Sequence, residues 1–156
     1  MTTTQALAAH PARQYATFFV DGLFFGIDVL EVQEVLRYQD MTRVPLAPEV
    51  IEGLINLRGQ IVTAIDMRRR LSLKPRCAGQ TPMNAIVRTE EGPVSLLVDE
   101  IGDVITTEAE DFEGPPDNLS LEARELIQGV YKLKDRLLLI LDTGRTIGFA
   151  SAAPHA

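Results

Sequence analysis

The chain has one cysteine, Cys77, no tryptophan, and only two histidines, His10 and His155. A lone cysteine closes no disulfide within the chain, which fits a reducing compartment, and an isolated thiol is more often incidental than reactive. Both histidines lie in stretches without a periodic apolar pattern. A Ser–His or Cys–His nucleophilic pair, or a zinc site of His and Cys, therefore has no positioned imidazole to use. The two common phosphate cradles, G-x-x-x-x-G-K-[ST] and G-x-G-x-x-G, are also missing. Gly144-Arg145-Thr146-Ile147-Gly148 is a near miss that reads as a helix terminus. No apolar run approaches the ~18–20 residues that span a bilayer, and the N-terminus lacks a basic region followed by an apolar core. The expected location is the cytoplasm.

A surplus of positive charge is lacking too. The formal charge is −7, and nucleic acid is usually met by a basic stripe, so it is not an expected partner. The charge is unevenly spread. Arg58, Arg68, Arg69, Arg70, Lys74 and Arg76 face one acid, Asp66, whereas from Glu90 to Glu125 Arg124 is the only base among many acids. Such runs are commonly solvated faces, and the alternative is a polarised docking surface. With 46% hydrophobic and 24% charged residues, the composition is that of a folded protein, one globular unit or two small lobes.

What is present centres on Asn56–Arg70. An apolar run (Val50, Ile51, Leu54, Ile55, Leu57) and a second (Ile61, Val62, Ala64, Ile65) flank Gly59-Gln60 and predict a tight hairpin, with Gly59 supplying φ > 0. Asp66 suits the N-cap of a short basic turn. An offset of 76 (129 − 53) finds the pattern again: Gly53 and Gly129, Leu57 and Leu133, Arg58 and Lys134, Ile61 and Leu137, Ile65 and Leu141, Asp66 and Asp142. A match at one fixed period is the mark of a duplicated unit.

In chain order, residues 1–13 read as a tail. Tyr15–Val20 and Leu23–Ile27, joined by Asp21-Gly22, predict a hairpin. Asp28 with Glu31 makes a capping-box-like start to a short helix carrying Val29, Val32 and Leu36 on one face, which closes the end of a barrel. Met41–Pro45 predicts a short strand, and Pro48 opens a helical turn that Gly53 ends. Ser72–Pro82 is the expected break between lobes. Met83–Thr89 and Pro93–Asp99 form a second hairpin, Gly102 marks a bulge before Val104–Thr106, and Glu108–Asn118 is an acidic loop. Ser120 caps a helical turn through Leu126, Ile127–Leu133 and Arg136–Asp142 pair around Lys134-Asp135, and the chain loosens from Ser151. The count is about ten short strands in two sets of about five, which favours small closed β-barrels over a parallel α/β sheet.

Candidate chemistry is thin. Asp99, Glu100 and Asp103 are the acids that an enzyme using paired carboxylates would have to bring together, but no aromatic platform accompanies them. A binding module remains. Arg58 is placed to pair with Glu34 where the first helix packs by the hairpin, a rim ion pair of small value being the plain alternative. Val32, Val35 and Leu36 read mostly as core, and one exposed Val beside an Arg makes an anchor for a partner groove.

These residues carry a family resemblance. Phe25-Gly26-Ile27-Asp28-Val29 with Val32-Gln33-Glu34-Val35, Gly53 through Arg68, Leu97-Val98-Asp99 with Val104, and Gly129 with Leu137–Asp142 together resemble the CheW family of chemotaxis coupling proteins, from about Gln14 to Phe149. The tetrad Asn56-Leu57-Arg58-Gly59 followed by Ile65-Asp66-Met67-Arg68 is the specific combination. The chain departs from the family at Thr63-Ala64, where a Pro-Val pair is common.

The resemblance implies an all-β fold of two SH3-like five-stranded β-barrels with short capping helices. It places a domain over 14–150, with a first barrel at about 14–72 plus part of the C-terminal end, a second at about 83–142, and a tail over 151–156. It implies neither catalysis nor a cofactor or metal. It implies an adaptor joining the cytoplasmic tip of methyl-accepting chemoreceptors to the regulatory domain of the histidine kinase CheA, the receptor tip lying in the groove between barrels. By motif match Val32, Glu34, Gly53 and Arg58 fall at coupling positions, and Met83 lines the groove. Asp28, Asn56, Gly59, Asp66, Asp99, Gly129 and Asp142 are expected to serve turns and caps. Two rivals are a same-fold adaptor of an array controlling gliding, pili or development, and a carboxylate hydrolase.

Overall fold

Asp21 (φ 49°) and Gly22 (φ 79°) both adopt left-handed backbone, the geometry that matches strand twist in a two-residue hairpin. They join β1 (Gln14–Val20) to β2 (Leu23–Asp28). The computed structural model describes residues 13–108 and 111–152. Most of the two expected tails, with His10 and His155, lies outside the described residues.

Asp28 does cap, accepting the Leu30 N–H at 2.9 Å, but the helix is a single 3-10 turn, Val29–Glu31. Val32–Leu36 is β3, alternating partly buried and exposed residues and pairing with β6 (Met83–Val87). β-Branched Val32 and Val35 suit the pleated surface, and sheet pairing outweighs the short helical pattern. The expected strand over Met41–Pro45 reduces to one bridge between Thr42 and Leu54. Gly53 ends no helical turn. It lies inside β4 (Ile51–Leu57), and the turn at Pro48 closes earlier, by a bond from the Ile51 N–H to the Pro48 carbonyl.

The central hairpin pairs β4 with β5 (Gln60–Asp66). Its tip is Arg58-Gly59 (φ 53° and 86°), one residue earlier than expected. Asp66 caps the one-turn helix α1 (Met67–Arg70), accepting the Arg68 N–H at 3.0 Å. β7 (Val94–Val98) and β8 (Glu100–Thr106) follow β6. Register slips where Thr17 faces Gly102 and Asp103, the bulge expected at Gly102. The acidic loop contains a two-residue strand that the sequence reading missed, β9 (Phe112–Glu113), paired with β10 (Ile127–Lys132). Ser120 caps α2 (Leu121–Leu126), and β10 pairs with β11 (Leu137–Leu141). α3 (Thr143–Ala152) continues past Ser151, where a loose tail was expected.

The strands form two sheets, β8-β1-β2-β11-β10-β9 and β3-β6-β7-β5-β4. The all-β expectation holds, with six strands in the first sheet because of β9. The repeat is visible in the backbone: register slips between Ile51 and Gly53 against β5, and again between Ile127 and Gly129 against β11, each 76 positions on (127 − 51, 129 − 53). β5 runs parallel to β7, and β11 parallel to β2.

Chain order does not decide sheet membership. The hairpin β1–β2 sits with β8, β10 and β11, while β6–β7 sits with β3, β4 and β5. Each sheet therefore takes the opening hairpin of one repeat and the later strands of the other. The strand groups expected at about 14–72 and about 83–142 are crossed, although the C-terminal hairpin does join the N-terminal one.

Side-chain alternation builds three apolar layers. Phe18, Phe25 and Ile27 of the first sheet meet Ile65, Val87 and Val98 of the second in one shared cluster. The other faces point inward: Tyr15, Phe24, Tyr131, Leu138 and Ile140 fill the first sheet, and Ile55, Leu57, Val62 and Ile86 with Leu36 fill the second. Tyr15 on β1 reaches Tyr131 on β10, three strands away in the sheet order, so the first sheet curls around its own cluster. Because both faces are buried, strands such as Leu137–Leu141 read as continuous apolar runs.

Candidate functional site

The site is built on the β4–β5 tip. Asn56 accepts the Gly59 N–H at 2.9 Å through its side chain, which fixes the turn and presents Arg58 in left-handed backbone. Register slips between Val32 and Glu34 on β3, so Gln33 is an extra residue and Glu34 is re-aimed. The two meet: Arg58 Nη1 donates to Glu34 Oε2 at 2.6 Å and Nη2 to Oε1 at 2.7 Å. β3 and β4 are opposite ends of their sheet, so this fork joins the ends of a curled sheet. The Arg58 hydrogen bonds hold the Glu34 carboxyl below its ordinary range, and Glu34 raises the guanidinium in return. Arg58 remains 68% exposed, with Val35 on β3 and Ile61 on β5 exposed nearby in the chain.

The other expected binding residues are placed differently. Val32 packs partly against the shared core, and its carbonyl accepts from Arg88. Gly53 is buried, and a Cβ there would stand 2.7 Å from the Thr42 carbonyl oxygen. Met83 packs against the shared core opposite Val98. An open groove of about 910 Å³ lies between the second sheet and α3, walled by Ile61, Thr63, Arg88, Glu90, Val94 and Ile147. Met83 does not line it. The exposed position of Ile61 in the β5 alternation is the signal that pointed there.

Among the expected turn and cap residues, Asp28, Asn56, Gly59 and Asp66 do that work, and Asp142 accepts the Arg145 N–H at 3.0 Å at the start of α3. The Gly144–Gly148 segment is thus a helix terminus. Gly129 serves close packing instead of a turn, since a Cβ would lie 2.5 Å from the Glu113 carbonyl oxygen and against the Phe112 ring. Asp99 holds ion pairs and receives the Asp21 N–H at 2.7 Å.

The basic run is largely consumed inside the fold. Arg68 pairs with Asp99, Arg69 with Glu52, Arg76 with Asp66, and Arg70 donates to the carbonyls of Thr146 and Arg145. Neither a purely solvated face nor a basic docking surface describes it. Burial pushes the Asp99 carboxyl up, but the Arg68 fork, the Asp21 N–H and nearby Arg76 outweigh this and leave it low. A carboxylate held ionised is unsuited to serve as a general acid. Among the described residues, no group of three His, Cys, Asp or Glu is placed to hold a metal, and no helix is long and apolar enough to cross a membrane.

Two interleaved sheets with an ion-paired edge and open grooves define a class of binding scaffold. The comparisons are specific: residues 14–149 match the CheW-like domain family, and the chain belongs to it. It is 32% identical over 130 residues to chemotaxis protein CheW of Bacillus subtilis, covering 83% of each chain. Against chemotaxis protein CheW of Treponema pallidum it is 30% identical over 133 residues, 83% of this chain and 78% of that protein. The crystal structure of scaffolding protein TtCheW from Thermoanaerobacter tengcongensis superposes with a TM-score of 0.74 at 28% identity, covering 83% of this chain and 88% of that one. The protein is a chemotaxis adaptor of the CheW type.

Proposed function

We propose that this adaptor couples methyl-accepting chemoreceptors to the histidine kinase CheA without chemistry of its own. It does so from the cytoplasm, recruited to membrane-associated receptor arrays. Each curled sheet acts as one SH3-like barrel, one partner engaging the edge around Val32, Glu34 and Arg58, with Gly53 and Met83 supporting it from beneath. The observation that carries this reading is the Glu34–Arg58 fork, which brings two motif-matched residues together at one exposed edge. Rigid presentation is what lets small movements of one partner alter the other through shared contacts.

The test is reconstitution with a receptor cytoplasmic fragment and CheA. A ternary complex and receptor-dependent kinase activity are expected, and Arg58→Glu weakens both. Absence of any complex, with kinase activity indifferent to the protein, overturns the reading. A second reading is an adaptor of the same fold for an array controlling pili, gliding or development; protein FrzA of Myxococcus xanthus is 35% identical over 74 residues, 46% of each chain. Reconstitution with receptors encoded beside this chain separates the two.

A further inference from the structure

The chain crosses from one sheet to the other at two joints. One is the turn Val29–Glu31 between β2 and β3, and the other, between β7 and β8, is a single residue, Asp99. Elsewhere the sheets meet through the shared apolar cluster, whose contacts are non-directional, and through Arg70, which donates from α1 to the carbonyls of Thr146 and Arg145 on α3. Among the described residues the densest set of directional contacts between the sheets converges on one residue, Asp99. Its Oδ1 accepts Arg68 Nε at 3.0 Å, and its Oδ2 accepts Arg68 Nη2 at 2.6 Å and the Asp21 N–H at 2.7 Å. Its own N–H donates to the Phe19 carbonyl at 2.9 Å.

These partners come from both sides. Arg68 follows β5 of the second sheet, while Asp21 and Phe19 belong to the opening hairpin of the first. Arg68, its side chain 7% exposed, also donates through Nη1 to the carbonyls of Lys74 and Pro75, and lies 3.6 Å from Asp21. Arg76 stands 3.4 Å from Asp99 and 3.5 Å from Asp66. A planar guanidinium holding both carboxylate oxygens sets distance and angle together. The other joint has no such fork: Thr143 donates to Glu31, and Arg88 to the carbonyls of Leu30 and Val32.

We infer that Asp99 is a positioning residue that sets one sheet against the other. Resting on the adaptor reading above, it thereby sets the geometry in which a partner on one sheet is presented to a partner on the other. It touches neither partner and acts through Arg68 and Asp21.

The experiment uses the full chain with Cys77→Ser and spin labels at Gln33 on β3 and Gln128 on β10, both exposed. The parent chain is expected to give one narrow distance distribution. Asp99→Asn, which keeps the shape and removes the charge, broadens or shifts it, and Arg68→Lys, which keeps the charge and loses the fork, gives an intermediate result. Should Asp99→Asn fail to fold, Arg68→Lys carries the test. Distributions unchanged in the folded variants overturn the positioning role. In reconstitution, receptor control of the kinase falls about tenfold while the affinity for each partner stays within about twofold. A shifted distance with full control removes the functional half only. A parent chain that binds neither partner defeats the adaptor reading and leaves the distance result standing.

Discussion

Arg58 grips Glu34 with both prongs of its guanidinium, at 2.6 and 2.7 Å, from the opposite end of the same sheet. Because Arg58 is mostly exposed, removing it should leave the thermal midpoint nearly unchanged while weakening partner binding. Arg58→Lys, which keeps the charge but not the planar fork, should bind less well than the parent. Arg58→Glu combined with Glu34→Arg restores binding if the pair matters as a pair. Failure of the swap despite a folded chain assigns the role to Arg58 alone, and titration against a receptor fragment and CheA decides it.

Gly53 and Gly129 occupy equivalent places, each beneath a backbone carbonyl, of Thr42 and Glu113 respectively. Backbone gives way less readily than a flexible side chain. Gly53→Ala and Gly129→Ala should each destabilise by about 1–3 kcal/mol, measured by urea unfolding. If Gly53→Ala is neutral for stability but abolishes binding, Gly53 belongs to the contact surface itself.

Leu46 is fully exposed and sits at φ 66°, a conformation that a side chain with a Cβ adopts at a cost. Leu46→Asn should raise stability by about 1 kcal/mol and leave both partners' affinities intact. Loss of affinity at unchanged stability would make Leu46 a contact residue.

Acid should unfold the protein partly through Asp99. Its carboxyl titrates below the ordinary range in the fold, so the folded state binds fewer protons than the unfolded chain. The resulting stability is fully present above the unfolded value of about 3.9 and is lost as pH falls through the depressed folded value. Asp99→Asn should be less stable near neutrality and show a flatter decline on acidification. Parallel stability curves for the two chains below pH 5 would contradict this assignment.

Local chemistry made much of the fold legible. Asp21-Gly22 marked a turn, Ser120 and Asp66 marked helix starts, and alternation marked the strands, because each depends on near neighbours. The helix expected over Val29–Leu36 failed where β3 found a sheet partner in β6. β9 escaped notice because Phe112–Glu113 is a strand only against β10, on the far side of α2. For the site, Arg58 and Glu34 could be paired from sequence, but Asp99 could not be recognised as a joint, since Arg68 and Asp21 lie 31 and 78 positions away.

The sequence by itself determined a duplicated β unit with its turns and caps, a poverty of catalytic groups, and membership in a family of chemotaxis adaptors. These follow from short-range spacing and residue type. Only the tertiary structure decided that the repeats exchange their opening hairpins, that the basic run is spent on internal ion pairs, and that one aspartate links the sheets. Hydrogen-bond partners in a sheet are chosen by which apolar faces can be buried together, and that choice is made among strands far apart in the chain.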